Sequence, residues 1–445
     1  MSQPSNDSSD PAVVGEIAWR EGRRGDAWKS FSESARRNPQ DHRGHVGMAM
    51  TLRLEGRLAA SIAAMRKATF LRPEDPAVLR ALSETLLAAR RPEEAEIVAR
   101  RAIDAEPNDQ ALETLLARCV KARGRFSEAE RRLIDLVEEN ENDEAKIELG
   151  TLRLGLGKAI GSAFSDIAGN GVGDAEWDGL RPVAGLPILV DCGNDPIEAL
   201  FSLRFVEELV RRGALPTMRV NPGLASLISA KKGIVAVGTN VEIPPFPAFI
   251  PSKRLPVSLG VDAPIVSETL PNARPLARPL PLPPSMTSGR ILKVGLAWSE
   301  GKADDAAAEA IAAMIPMLSD PRIAFVSLQT GEAAREIERT GIGGFLIDAG
   351  RGARDAADLA AAIDAVDVVV CVESSVAHIG AEMRKTTIVA LPSTASWRFG
   401  LVGRDSPWHS TVIACRAVAL GEAISIARGE LTRIADSAAE VDSHS

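Results

Sequence analysis

Proline stands at Pro39, Pro73 and Pro107, and the interval is 34 residues both times. Small residues keep the same step, because Ala27, Ser61, Ala95, Ala129 and Ala163 are each 34 apart. A fixed period of this length constrains the first third of the chain more than any other feature does. A unit repeated at constant spacing must stack on copies of itself. The middle small residue fits a close crossing of two antiparallel helices. The proline fits the end of the second helix, which it cannot continue. The turn inside each unit keeps phase too, with Gly56 and Gly124 bracketing Arg90. The fourth boundary carries Glu141 where proline is due, so the last unit is expected to be atypical, as the cap of a stack is.

This is the pattern of the tetratricopeptide repeat. It predicts an α-solenoid over 11–165, with about four repeats ending near residue 160. Such a stack has a groove suited to an extended peptide or a helix of another protein. The alternative is a brace packed only on the rest of the chain. Charged stretches such as RRPEEAE and RFSEAERR read as solvated helix faces, and nothing in the array suggests catalysis.

A chain of 445 residues exceeds one ordinary core, and about two to four domains are expected. Hydrophobic residues at 45% and charged residues at 25% fit a globular protein. A net charge of −8 argues against a nucleic-acid partner. No apolar run reaches the roughly 18 residues of a membrane span. The start, MSQPSNDSSD, is polar where a signal peptide is basic and then apolar, so a cytoplasmic location is expected. Cys119, Cys192, Cys371 and Cys415 lie far apart without a C-x-x-C, which fits buried thiols better than disulfides or zinc.

After GNGVGDAEWDG the rhythm changes to short apolar runs, each followed by an amphipathic segment. ILVD, TMRV and IVAVG read as strands and PIEALFSLRFVEELVRRG as a helix, the alternation of a parallel sheet. The proline-rich 272–290 segment reads as a linker. A second alternation runs from ILKVGLAW through IAFVSLQ, GFLID, VVVCV and TTIVAL to a helix near ALGEAISIARGEL. The expected fold is therefore the solenoid followed by two Rossmann-like lobes, over 180–271 and 288–440. A cleft is expected at the carboxyl ends of their strands.

In DVVVCVESSVAHIGAEMRK a buried strand turns at once into a helix. Unpaired backbone N–H groups at a helix start favour anions, so Ser374 and Ser375 are candidate phosphate contacts. His378 follows one turn on, where its ring can face the same ligand. The alternative is structural: Glu373 and Ser374 cap the helix and His378 bonds a backbone carbonyl.

The segments EWDG, ILVDCG, VGLAWS, FVSLQ, DVVVCVESSVAHIGAEMRKTTIVALP, SWRFG and RDSPWH, in this order behind the repeats, resemble the bacterial repeat-containing glycosyltransferases of the GT-B fold. These are relatives of heptosyltransferases and O-linked N-acetylglucosamine transferases. In that family a D-T-x-x-A-H-x-x-G helix start holds the diphosphate of a sugar nucleotide. The resemblance implies a nucleotide-sugar donor bound by Glu373, Ser374, Ser375, Val376, Ala377 and His378, together with Trp397, Arg398 and Asp405. Trp397, Arg398, Asp405, Ser406 and Trp408 are its most specific matches. Their structural alternative is that two tryptophans and an Arg–Asp pair close the last lobe. It also implies an acceptor protein such as flagellin or another surface protein, held by the repeats. No Asp-x-Asp motif appears, which fits metal-independent transfer without a cofactor.

Two departures stand out. The family opens its first lobe with a stretch like E-Q-G-L-G-D-T, where this chain has GNDPIEA. Asp195 and Ile197 fall on the glycine positions and Glu198 on the probable catalytic base. After Trp298 a basic loop is replaced by SEGKADDAAAEA, with Lys302 its one cation. Two functions follow as expectations. One is a glycosyltransferase with Glu198 as base; the other is a catalytically lapsed relative that works as a binding or scaffold protein.

Overall fold

The structure, a computed structural model, describes residues 10–140, 142–158, 176–261, 264–267, 269–271, 291–392 and 397–443. Expectations placed on Glu141, Ala163 and the 272–290 linker lie outside these residues. The chain forms two compact units, Met1–Leu149 with Asp304–Ala306, and Gly150–Ala303 with Ala307–Ser445.

The first unit is a helical repeat array. Among the described residues its helices are α1 (Pro11–Arg20), α2 (Arg24–Arg37), α3 (His42–Leu54), α4 (Leu58–Leu71), α5 (Pro76–Ala88), α6 (Pro92–Ala105), α7 (Gln110–Ala122), α8 (Phe126–Asn140) and α9 (Asp143–Gly155). Each repeat is punctuated alike. Asp41, Asp75 and Asp109, 34 apart, cap α3, α5 and α7 by accepting the N–H two residues on, which satisfies a donor that the helix leaves open. The chain enters each second helix through Gly22, Gly56, Arg90 and Gly124, all at positive φ. Arg90 holds a left-handed backbone, φ 58°, that glycine adopts without strain.

The crossings are tight because small residues meet small residues. Ala27, Ser61, Ala95 and Ala129 are fully buried. A second series, Ala49, Ser83 and Ala117, also 34 apart, is buried opposite them. Ser61 Oγ donates to the Ala49 carbonyl at 2.7 Å, and Ser83 Oγ to the Ala95 carbonyl at 2.9 Å. The last unit is one residue short: Asn142 caps α9 only 33 residues after Asp109.

The second unit is an α/β region with two parallel sheets. The first contains β1 (Pro187–Asp191), β2 (Leu215–Val220), β3 (Val235–Gly238) and β4 (Ala248–Pro251), in the order β3-β2-β1-β4. Its helices are α10 (Pro196–Arg211), α11 (Ala225–Ile228) and α12 (Leu255–Ser258). The second contains β5 (Leu292–Ala297), β6 (Ile323–Ser327), β7 (Ile347–Asp348), β8 (Val368–Val372), β9 (Thr386–Pro392) and β10 (Val412–Ala417), in the order β10-β9-β8-β5-β6-β7. Its helices are α13 (Asp305–Met314), α14 (Glu336–Thr340), α15 (Ala356–Asp364), α16 (Ser375–Glu382) and α17 (Leu420–Ser443). Val294, Leu296, Phe325, Val370 and Ile388 fill the core of this sheet, with Ile424 of α17 against them.

The strands named from sequence form, and β4 and β10 join them. Both are edge strands. β4 hides in EIPPFPAFIP, where proline argues against a strand; an edge tolerates it because the missing N–H has no partner to serve. The EWDG segment lies against this edge: Trp177 N donates to the Phe249 carbonyl at 2.7 Å, and Trp177 Nε1 to the Arg181 carbonyl at 2.9 Å. No described helix is long and apolar enough to cross a membrane.

Candidate functional site

In an open parallel sheet the ligand crevice lies beyond the carboxyl ends of the strands, where the strand order reverses direction. In the second sheet the chain runs β5, β6, β7 to one side and then returns to β8 on the other side of β5. The crevice therefore falls between the segments that follow β5 and β8, residues 298–302 and 373–375.

The β8–α16 turn has the form read from sequence. VVVCV is buried throughout and α16 starts at Ser375. The Ser374 side-chain cap of the structural alternative is not formed. Ser374 is fully buried, and its Oγ donates back to the Val372 carbonyl at 3.1 Å instead of capping the helix. The open N–H of Ser375 is taken by Glu300, whose Oε2 accepts it. A carboxylate of the chain thus sits where an anion would sit at this helix start. Burial pushes the Glu300 carboxyl above its ordinary range, the Ser375 hydrogen bonds oppose that, and the charges of Asp195 and Glu373 add to the rise.

Glu300 is carried on a strapped loop. Gln329 Oε1 accepts the Trp298 and Ser299 N–H groups, both at 2.9 Å. Gln329 Nε2 donates to the Ser299 and Thr330 carbonyls at 3.1 and 2.9 Å. Trp298 Nε1 donates to the Ala333 carbonyl at 3.1 Å, and Ser299 Oγ to the Lys302 carbonyl at 2.7 Å. The Lys302 side chain is exposed.

Two cavities open nearby. One of about 210 Å³ is lined by Asn221, Gly223, Thr330, Arg354, Ser375 and Ile379 among others. Another of about 300 Å³ is lined by residues including Gly331, Arg335, Gly350 and Arg351.

In the first sheet the direction reverses between β1 and β4, and Glu198 stands there at the start of α10. Asp195 caps this helix, accepting the Ile197 and Glu198 N–H groups at 3.0 and 3.2 Å. The Glu198 side chain is engaged at both oxygens. Oε1 accepts from Ser252 Oγ at 2.8 Å and Ser202 Oγ at 3.3 Å; Oε2 accepts from Arg398 Nη2 at 2.5 Å. Arg398 is therefore tied to Glu198, a partner that sequence did not suggest. Asp405, expected beside it, has a side chain 92% exposed and, among the described residues, only Arg404 as ion-pair partner, at 3.7 Å.

His378 is sealed among rings. It is fully buried, stacks on Phe399 with centroids 4.5 Å apart, and meets Phe201 edge-on at 6.1 Å. Neither ring nitrogen has a hydrogen-bond partner among the described residues, so it neither faces an open crevice nor bonds a carbonyl. Burial, and then the Arg398 and Arg204 charges, hold its pKa well below the ordinary histidine value, leaving the ring neutral. Val376 and Ala377 are buried within α16. Trp397 and Trp408 both pack edge-on to Phe201 of α10, at 4.8 and 5.5 Å.

Beneath this cluster lies a polar seam that sequence reasoning missed. Arg204 of α10 is fully buried. It donates to Glu382 Oε1 of α16 at 2.7 Å and to the Trp408 and Phe201 carbonyls, both at 2.9 Å. The one available signal was an arginine inside the apolar run LFSLRFV. For Glu300 the signal was the acidic composition of SEGKADD, without an indication of which acid reaches the α16 start.

A tetratricopeptide repeat model matches residues 86–149. No curated protein matches the chain. Among solved structures, an O-GlcNAc transferase mutant of Thermobaculum terrenum is similar over 99% of this chain and 94% of its own, at 12% identity and a TM-score of 0.46. A tetratricopeptide protein of Thermus thermophilus, TTC0263, matches 32% of this chain and 80% of its own at 21% identity, TM-score 0.30. YrrB, described as a tetratricopeptide protein with an unusual peptide-binding site, matches 33% of this chain and 76% of its own at 14% identity, TM-score 0.29.

Proposed function

We propose that this is a protein-binding tetratricopeptide protein whose α/β region keeps a GT-B glycosyltransferase architecture but whose donor-phosphate position is filled by its own Glu300. The observation that carries this reading is the hydrogen bond from the Ser375 N–H to the Glu300 carboxylate. A diphosphate needs that N–H and the positive end of α16, and it would meet Glu300, Asp195 and Glu373 there. The strapping of the 298–302 loop by Gln329 holds the Glu300 backbone beside the helix start, while the residue as a whole stays exposed to solvent. Glu198 is likewise engaged, since its Oε2 accepts from Arg398, and an ion pair of this kind makes a carboxylate a weaker base. Binding falls to the repeats, where Glu16, Phe31, Val46, Met50 and Val78 help line a cavity of about 220 Å³ between α1, α2, α3 and α5.

An active glycosyltransferase is the second reading, favoured by the cavity lined by Arg335 and Arg351. Its size, about 300 Å³, sits at the lower limit for small-molecule sites. Isothermal titration of the full chain with uridine, guanosine, adenosine and cytidine diphosphates separates the two. No binding by the wild type and measurable binding by Glu300→Ala support the filled site. Equal, tight binding by both, or sugar transfer by the wild type, supports the enzyme.

A further inference from the structure

The array carries a second surface, on the outer faces of α4 and α6 and away from the cavity walled by α1, α2, α3 and α5. Arg66 of α4 pairs with Glu94 of α6 at 3.0 Å, and Arg101 of α6 donates to the Pro73 carbonyl at 2.9 Å. Phe70 lies one turn beyond Arg66, and Ile97 three residues beyond Glu94, so the two bridges bracket both side chains on one face. Phe70 is 78% exposed and Ile97 62%. In the same slots the other repeats carry Arg36, Asp104 and Glu138 in place of Phe70, and Lys29, Ala63 and Arg131 in place of Ile97. The fold therefore does not require apolar residues here.

Charge frames the pair. Lys67 stands over the Phe70 ring at 5.4 Å, a contact that holds the ring outward. Among the described residues Lys67, Arg72 and Arg101 form no ion pair with a carboxylate, and α4 contains no acid. Glu74 and Asp104 are the acids near its lower end. Of the acids beside Ile97, Glu94 is paired with Arg66 and Arg91, and Glu93 with Arg123, so the charges left for a partner around the apolar centre include the cations Lys67, Arg72 and Arg101, on a chain whose net charge is −8.

We propose that this face docks an acidic amphipathic helix of a partner protein. An apolar ridge would cover Phe70 and Ile97, and carboxylates would meet Lys67, Arg72 and Arg101. Two apolar side chains are too few to hold a membrane surface, which takes a long apolar face, and the chain's negative charge opposes anionic lipid. Binding here is independent of the donor-site reading.

The test uses Phe70→Ala with Ile97→Ala, the second copying Ala63 of a neighbouring repeat and neither adding charge to the face, so the array should fold unchanged by circular dichroism. The probe is a stapled amphipathic peptide with leucines on one face and glutamates on the other, followed by fluorescence anisotropy on the full chain. The expected result is saturable binding, weakened about tenfold or more by the double variant, and no binding of the same peptide with lysine for glutamate. Absence of binding, or binding equal in both proteins, overturns the proposal. So does Phe70-dependent sedimentation with phosphatidylserine vesicles, which would assign the face to a membrane, or Phe70-dependent dimerisation in analytical ultracentrifugation, which would assign it to a second copy.

Discussion

In the helical array Ser61 closes a crossing by reaching Ala49, 12 residues away, and Ser83 does the same with Ala95. In the α/β unit Arg204 reaches Glu382 across 178 residues, and Arg398 reaches Glu198 across 200. The first unit is held chiefly by small-residue crossings and apolar helix faces that recur every 34 residues, with one buried carboxylate, Glu96, ringed by Arg100, Arg123 and Arg125. The second buries full charges at contacts that form only when distant segments have been brought together. Stability in the array is therefore spread over many similar crossings. In the α/β unit it is concentrated in a few polar seams, and losing one partner strands the other in a dry interior.

The sharpest way to break this contrast is to remove one charge. Arg204→Met leaves Glu382 buried without its guanidinium and is expected to cost about 3–5 kcal/mol. In calorimetry of the full chain the array transition should hold its position while the α/β transition falls or disappears. Adding Glu382→Leu should recover part of the loss, because an apolar pair of similar volume removes the stranded charge. An equal shift of both transitions would deny that the two units are stabilised separately.

Acid should separate the units as well. His378 and His409 are held well below the ordinary histidine pKa, first by burial and then by nearby positive charge. As pH falls below about 6.5 the unfolded chain takes up protons that the folded state refuses, so stability is lost. Glu300 and Glu382 are held above their ordinary range and act in the opposite sense. The histidine effect is therefore read as the difference between wild type and His378→Phe, and the variant should lose less between pH 7 and about 5. In the array, burial pushes Glu96 up, but hydrogen bonds from Arg123, Arg100 and Arg125 bring it to about 2. Its stabilisation is present above the ordinary carboxylate range and disappears only as pH falls from there towards 2. Chemical denaturation across pH, with and without His378→Phe, measures both windows.

The smallest effect belongs to the array turn. Arg90→Gly restores the residue used at Gly22, Gly56 and Gly124 and relieves a positive φ of 58°. A gain of up to about 1 kcal/mol in the array transition alone is expected. A loss would mean that the Arg90 side chain matters more than its backbone.

The same contrast governs what was legible in sequence. Prolines 34 apart, small residues at the crossings and glycine in the turns are local requirements that each unit must meet, so the period exposes them. The second series at Ala49, Ser83 and Ala117 was equally visible and completes the crossing. In the α/β unit the strand–helix alternation is local and was read correctly, apart from the proline-bounded edge strand β4 and the edge strand β10. The partners in its seams are not local. Nothing near Glu198 points to Arg398, and nothing near Ser375 points to Glu300, 75 residues earlier. The structural alternative, a Ser374 side-chain cap, is not formed, because the Ser374 hydroxyl donates to the Val372 carbonyl instead.

The most direct test of the filled phosphate position is the amide resonance of Ser375 in the full chain, followed by transverse-relaxation-optimised NMR during titration with uridine diphosphate. In the wild type this resonance should stay in place while Glu300 holds the N–H; in Glu300→Ala it should move on titration. A wild-type Ser375 amide that shifts and saturates with uridine diphosphate as readily as that of Glu300→Ala would contradict the proposed loss of the donor site.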